Sequence, residues 1–272
     1  MAPLAPPSTA TRPAPSSARW RHTFYTLCLT QALAMLAFGM ALPFLPLYVQ
    51  RLGIADPRAA AQWAGAMSAA GALVMAAMAP VWGALADRYG RKPMVARALL
   101  GGGAIVAVMS LARTPAQLLI LRTVQGAFSG TVAASRTLLA SVVPPSELGF
   151  ALGVMQTAAF VGTSAGPLVG GLLADRFGFG ATFFLTGLLL AFGGLAVIWL
   201  VHEDFTPPAP AAATGNGAGA ALRVVLDVPG LGALIATLFF VQAGMSAMGP
   251  ILPLFVQSLV PAERGSVAPW PA

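Results

Sequence analysis

Apolar residues run through this chain in long blocks, separated by short segments where charge, proline and glycine collect. A helix needs about 20 mostly apolar residues to cross a bilayer. Runs of that length occupy 24–49, 61–85, 93–112, 116–140, 149–174, 180–201 and 230–259, so the pattern predicts seven membrane-spanning helices. Residues 1–20 are rich in Pro, Ala and Ser and read as a disordered tail. The first apolar run is longer than the core of a signal peptide, which is about 7–15 residues, so it is expected to stay as a helix. Residues 202–229 read as a linker rich in Pro, Ala and Gly, and 260–272 as a short tail.

Composition supports the lipid-facing reading. Hydrophobic residues make up 57% of the 272 and charged residues 8%, against about 25% charged in soluble domains. The net charge of +7 could suggest nucleic acid, but the basic residues are scattered between the apolar runs and form no electrostatic footprint. They act instead as topology determinants. With the N-terminus inside, that side holds Arg12, Arg19, Arg21, Arg88, Arg91, Lys92 and Arg223, joined by Arg97 and Arg136 snorkelling from helix ends. The opposite side holds Arg51, Arg58, Arg113, Arg176 and Arg264. The single Cys28 excludes an intramolecular disulfide. His22 and His202 flank apolar runs as interfacial polar residues, and no metal-site spacing or catalytic cluster appears. No cofactor, metal or enzymatic activity is expected. Gly215 to Ala220 superficially fits a dinucleotide fingerprint, but no strand precedes it.

Two internal repeats organise the spans. Pro43-Phe44-Leu45-Pro46-Leu47-Tyr48-Val49-Gln50-Arg51-Leu52 recurs at Pro250–Leu259 with seven of ten positions identical, six helices further on. An even number of helices makes those copies parallel. Gly83-Ala84-Leu85-Ala86-Asp87-Arg88-Tyr89-Gly90 recurs at Gly171–Gly178 with six of eight identical, three helices on. An odd number makes that pair inverted. Parallel six-helix halves, each of two inverted three-helix units, form the major facilitator arrangement.

Three motifs carry the same resemblance. Residues 83–94, from Gly83 to Met94, lie between the second and third spans and resemble the loop signature of the major facilitator superfamily. A small Gly83 permits close helix approach, and Asp87 can pair with arginines or face a helix N-terminus. The resemblance implies a conformational latch of Gly83, Asp87, Arg88, Gly90, Arg91 and Lys92, whose partner in the family is the eleventh helix. Arg122, Gln125 and Gly126 share one face of the fourth span and resemble the motif of proton-coupled members. An intramembrane arginine is a functional candidate by default, with snorkelling as the alternative. In the fifth span, Gly153, Gly162, Gly166, Pro167, Gly170 and Gly171 match the signature of drug–proton antiporters. Gly162, Gly166 and Gly170 make one stripe without side chains, and Pro167 removes a backbone donor and invites a kink.

The sequence therefore resembles the twelve-helix drug–proton antiporters, of the bacterial multidrug type, truncated after the seventh helix. The expected fold is an all-α membrane protein: an N-terminal six-helix bundle of two inverted three-helix repeats (21–201), a cytoplasmic linker (202–229) and a seventh transmembrane helix (230–259). The resemblance implies proton-coupled export of small molecules in a bacterial inner membrane, with the N-terminus cytoplasmic. Gln31, Met35, Phe38 and Phe128 are candidate cavity-lining residues. The expected partners are substrate, protons, the lipid bilayer, and either a missing C-terminal half or a second copy. Nucleic acid is not among them. No Asp or Glu lies within any of the seven runs, so the proton carrier is not identified. The alternative is a transport-inactive fragment or a membrane interaction partner.

Overall fold

A computed structural model describes residues 17–203, 205 and 230–259, whose regular structure is helical throughout. The linker beyond residue 205, the tail 260–272 and the fingerprint-like Gly215–Ala220 lie outside the described residues. Helix α1 is Ser17–Ala41, so it takes in the last residues of the stretch expected as a tail. A 3-10 turn at Leu42–Phe44 then leads into α2, Leu45–Arg51, and each of these two short pieces has proline in its first turn. Proline lacks an N–H, and the first turn is where that loss costs nothing.

Helix α3, Pro57–Tyr89, starts behind Asp56, whose carboxylate accepts from the amides of Arg58 and Ala59 at 3.2 and 3.1 Å. It ends on Gly90, with φ +95°. Helix α4 is Lys92–Met109, α5 is Pro115–Phe128 and α6 is Thr131–Val142. Helix α7 runs over Leu148–Leu200 but bends at Gly178, which has φ +79°, giving two arms at 148–177 and 179–200. Helix α8 is Leu231–Leu259.

Two expectations need correction. The fourth span is not one helix over 116–140: it breaks at Ser129–Gly130, where Gly130 has φ +110°. That conformation is open to glycine at little cost, so the helix can stop and restart there. The fifth and sixth spans follow each other through the Gly178 bend with no separating loop.

The bundle is assembled through three close backbone crossings, each between paired glycines. A methyl built on Gly166 in the first arm of α7 would lie 2.5 Å from the Gly39 Cα of α1. One built on Gly126 of α5 would lie 2.8 Å from the Gly71 Cα of α3. One built on Gly103 of α4 would lie 2.9 Å from the Gly187 carbonyl oxygen of the second arm. In span numbers these are the first on the fifth, the second on the fourth and the third on the sixth. Exchanging the two three-helix units turns the first crossing into the second and maps the third onto itself, as an inverted repeat requires. The repeated Ala-Asp-Arg-aromatic-Gly phrases also end alike: Gly90 has ψ 169° and so does Gly178, both at positive φ.

At the end opposite Gly90, the Tyr48 hydroxyl donates to the Met109 carbonyl at 3.2 Å and its ring packs 5.0 Å from that of Phe183. Helix α8 packs on α2 and α3. The first copy of the parallel repeat is split between the 3-10 turn and α2, whereas the second runs within continuous α8. Leu73, Phe160, Leu168 and Phe192 are exposed on the outer faces. Among the described residues, four helical segments, Trp20–Arg51, Pro57–Tyr89, Lys92–Met109 and Leu148–Leu200, are long and apolar enough to cross a bilayer. The chain is an all-α membrane protein.

Candidate functional site

The loop signature occupies the Gly90 end of the bundle. Asp87 is exposed in the last turn of α3 and makes no ion pair among the described residues. Arg88 lies over the Tyr89 ring at 5.2 Å. Among the described residues a side chain on Gly83 would meet nothing within 4 Å, where this face of α3 borders a cavity. Close approach, expected for Gly83, is found instead at Gly71, three turns earlier on the same helix.

The helix N-terminus beside the loop is held by a different acid. The Glu203 carboxylate accepts from the amide of Arg91 at 3.0 Å and from that of Lys92 at 2.8 Å. These are amides at the head of α4 with no helical acceptor, and a carboxylate there also meets the positive end of the helix dipole. Glu203 reaches them because Gly90 has no side chain: a methyl on Gly90 would lie 2.9 Å from the carboxylate. Sequence reasoning missed Glu203, although an acid directly after the sixth span and a Gly-Arg-Lys loop were both visible.

A cavity of about 270 Å³ opens between α3, α4 and α6 and includes Trp82, Asp87, Arg91, Arg97 and Gly130 in its wall. Arg97, expected to snorkel outward, is folded back over the Trp82 ring at 3.7 Å. Both side chains donate to the Ala127 carbonyl, Trp82 at 2.7 Å and Arg97 at 3.3 Å. The break after Phe128 explains this, since it leaves carbonyls at the end of α5 without helical donors. Gly130 offers no side-chain acceptor to the first amides of α6.

In α5, Arg122 donates to the side chain of Gln125, one turn on, and its Nε is buried without a protein partner. Gln125 is enclosed, and Gly126 sits on the Gly71 backbone. The three residues share a face turned into the bundle, so snorkelling does not describe Arg122.

The glycines of the fifth span divide into two groups. Gly162, Gly166 and Gly170 are buried against the α1 backbone at Ala32, Gly39 and Met40. Pro167 flanks the crossing, 3.5 Å from where a Gly39 side chain would start. A methyl built on Gly171 would lie 3.5 Å from the Phe44 ring, and one built on Gly153 would meet nothing within 4 Å. Gly39 and Gly71, the partners of the two motif stripes, were not singled out from the sequence, because no motif marks them.

None of Gln31, Met35, Phe38 and Phe128 lines the Arg97 cavity. Gln31 is buried in the bundle with neither amide atom hydrogen-bonded to protein, Met35 and Phe38 pack on the core, and Phe128 lies over Gly101 beside Trp82. Among the described residues no cluster suited to a metal ion occurs.

The sequence model of the Major Facilitator Superfamily matches residues 27–267. The chain is 36% identical to the multidrug resistance protein MdtG of Yersinia enterocolitica over 248 residues, 90% of this chain and 59% of that protein. It is 34% identical to MdtG of Proteus mirabilis over 249 residues, again 90% of this chain and 60% of the relative. The chain thus spans about three-fifths of the length of these relatives. Its fold matches the crystal structure of the human organic anion transporter MFSD10 (TETRAN) with a TM-score of 0.57 and 24% identity, covering 71% of this chain and 50% of that one. Paired backbone crossings in inverted order, the loop signature and a family match over most of the chain agree: this protein belongs to the major facilitator superfamily.

Proposed function

We propose that this chain provides the N-terminal bundle of a proton-coupled exporter of drugs or other small molecules in a bacterial inner membrane. The observation that carries the reading is the seating of Gly162, Gly166 and Gly170 on the α1 backbone. A crossing without intervening side chains lets two helices pivot as a unit, and alternating access requires bundles that rock about a midplane site. The names of the MdtG relatives support drugs as the substrate class. Arg122, with Gln125 and Gly126, is assigned to proton coupling, and the Asp87 loop to a latch on the cytoplasmic side. Gln31, whose buried amide has no protein partner, is assigned to substrate contact. The N-terminus is cytoplasmic, residues 21–201 form one bundle, and 202–229 link it to a seventh span. The opposing bundle comes from a C-terminal half or from a second copy. The test is expression of the 272-residue chain in a pump-deficient strain, with proton-dependent dye efflux as the readout. Efflux above an empty-vector control that is lost in Arg122→Ala supports the reading through a second copy. Efflux that appears only when a relative's C-terminal half is co-expressed supports the paired-half form. No efflux in either case means an inactive fragment or an interaction partner.

A further inference from the structure

The arginine over Trp82 is not explained by the latch, the coupling motif or the glycine crossings. Among the described residues only one of the guanidinium's five donors has a protein acceptor, the Ala127 carbonyl at 3.3 Å, and that carbonyl is already served by Trp82 at 2.7 Å. Its Nε is buried without a partner, and no acid pairs with it among the described residues. Arg97 is only partly buried and borders the cavity, so its open donors face that space. Stacking on the indole fixes the plane of the guanidinium while leaving its in-plane donor edge open.

The surroundings select an anion. The cavity wall carries two arginines, Arg91 and Arg97, against one aspartate, Asp87. Ser129 and Gly130 bring the head of α6 to the same wall, and its first amides have no side-chain cap. The rest of the wall is largely apolar, with Met75, Ala79 and Met94. Asp87, exposed near the helix end, disfavours a second negative charge. A planar fork recognises a carboxylate through two parallel hydrogen bonds.

We propose that the cavity between α3, α4 and α6 binds a small amphipathic monoanion through its carboxylate, with Arg97 as the anchoring residue. The volume of about 270 Å³ sits near the lower end of ligand pockets, about 300 Å³, which fits a single aromatic ring on a short chain. The wall shares Asp87 and Arg91 with the proposed latch, so binding is measured on the chain itself, apart from transport.

The experiment is equilibrium binding of radiolabelled 4-phenylbutyrate to the purified chain in phosphatidylcholine nanodiscs, with 4-phenylbutanol as the neutral counterpart. Saturable binding of the acid but not the alcohol is expected, weakened about tenfold or more in Arg97→Gln, which loses a charged hydrogen-bond partner. Arg97→Lys keeps the charge without the fork and is expected to restore little. Ala133→Leu, which leaves Arg97 intact and fills the cavity, is also expected to abolish binding, and it decides the matter should Arg97→Gln fail to fold. Equal binding of acid and alcohol, or unchanged binding in either Arg97→Gln or Ala133→Leu, would overturn the site. Nanodiscs containing phosphatidylglycerol separate the sources. Displacement of the probe identifies a lipid headgroup as the resident anion, and undiminished binding identifies a free carboxylate.

Discussion

Gly39 and Gly166 face each other so closely that a methyl group on Gly166 would lie 2.5 Å from the Gly39 Cα. No real carbon–carbon contact tolerates that distance, so α1 and the first arm of α7 approach this closely only while position 166 stays glycine; a methyl on Gly39 would be tight but less so, 3.0 Å from the Gly166 Cα. Gly166→Leu is expected to destabilise the bundle by about 1–3 kcal/mol or more through overpacking and to abolish transport, while membrane insertion is retained. Gly153→Leu, at a position with open space around it, is expected to do neither. Thermal unfolding in detergent together with dye efflux checks both, and equal behaviour of the two variants would remove the stripe from the mechanism.

Glu203 caps α4 through the Arg91 and Lys92 amides. Glu203→Ala is expected to cost about 0.5–2 kcal/mol, the range for a lost helix cap, and to raise hydrogen exchange at those two amides. Glu203→Gln keeps an acceptor and is expected to fall between. Unchanged exchange in Glu203→Ala would mean that the carboxylate does not hold the loop.

Asp87 and Asp175 occupy equivalent positions of the inverted repeat, but of the two only Asp87 lines the cavity, as Arg91 does. Asp87→Asn is expected to impair drug resistance more than Asp175→Asn when expression is matched. Equal or reversed effects would sink the latch assignment.

Arg122 contacts Gln125 inside the bundle with its Nε enclosed. Arg122→Ala is expected to leave the protein in the membrane and to eliminate the proton-driven component of dye efflux. A collapse of the imposed pH gradient that affects wild type and variant alike would show that coupling lies elsewhere.

Charge placement favours a cytoplasmic N-terminus. Reporter fusions at residue 20 are expected to be active inside the cell and those at residue 265 outside. The opposite pattern at either position overturns the orientation.

Hydrophobic run length alone determined that the chain crosses a membrane as helices, because lipid leaves backbone groups no other partners. Two short repeats indicated which helical units run parallel and which are inverted, since an Asp-Arg pair and paired prolines rarely recur by chance in apolar sequence. The glycines at 162, 166 and 170 marked a packing face, but their partner Gly39, like Gly71 opposite Gly126, could not be read from it. A glycine's meaning depends on what lies opposite, and that is set by the crossing of helices far apart in sequence. The same holds for the break at Ser129–Gly130: the run 116–140 reads as one mostly apolar span, and what permits the break is Trp82 and Arg97 arriving from two other helices to satisfy the Ala127 carbonyl. Arg97 looked free to snorkel in the sequence, and only the tertiary structure placed an indole beneath it. Glu203 likewise gained its role from a glycine more than a hundred residues earlier. Solvent preference acts along the chain and is legible there, whereas hydrogen-bond satisfaction and close packing act across it.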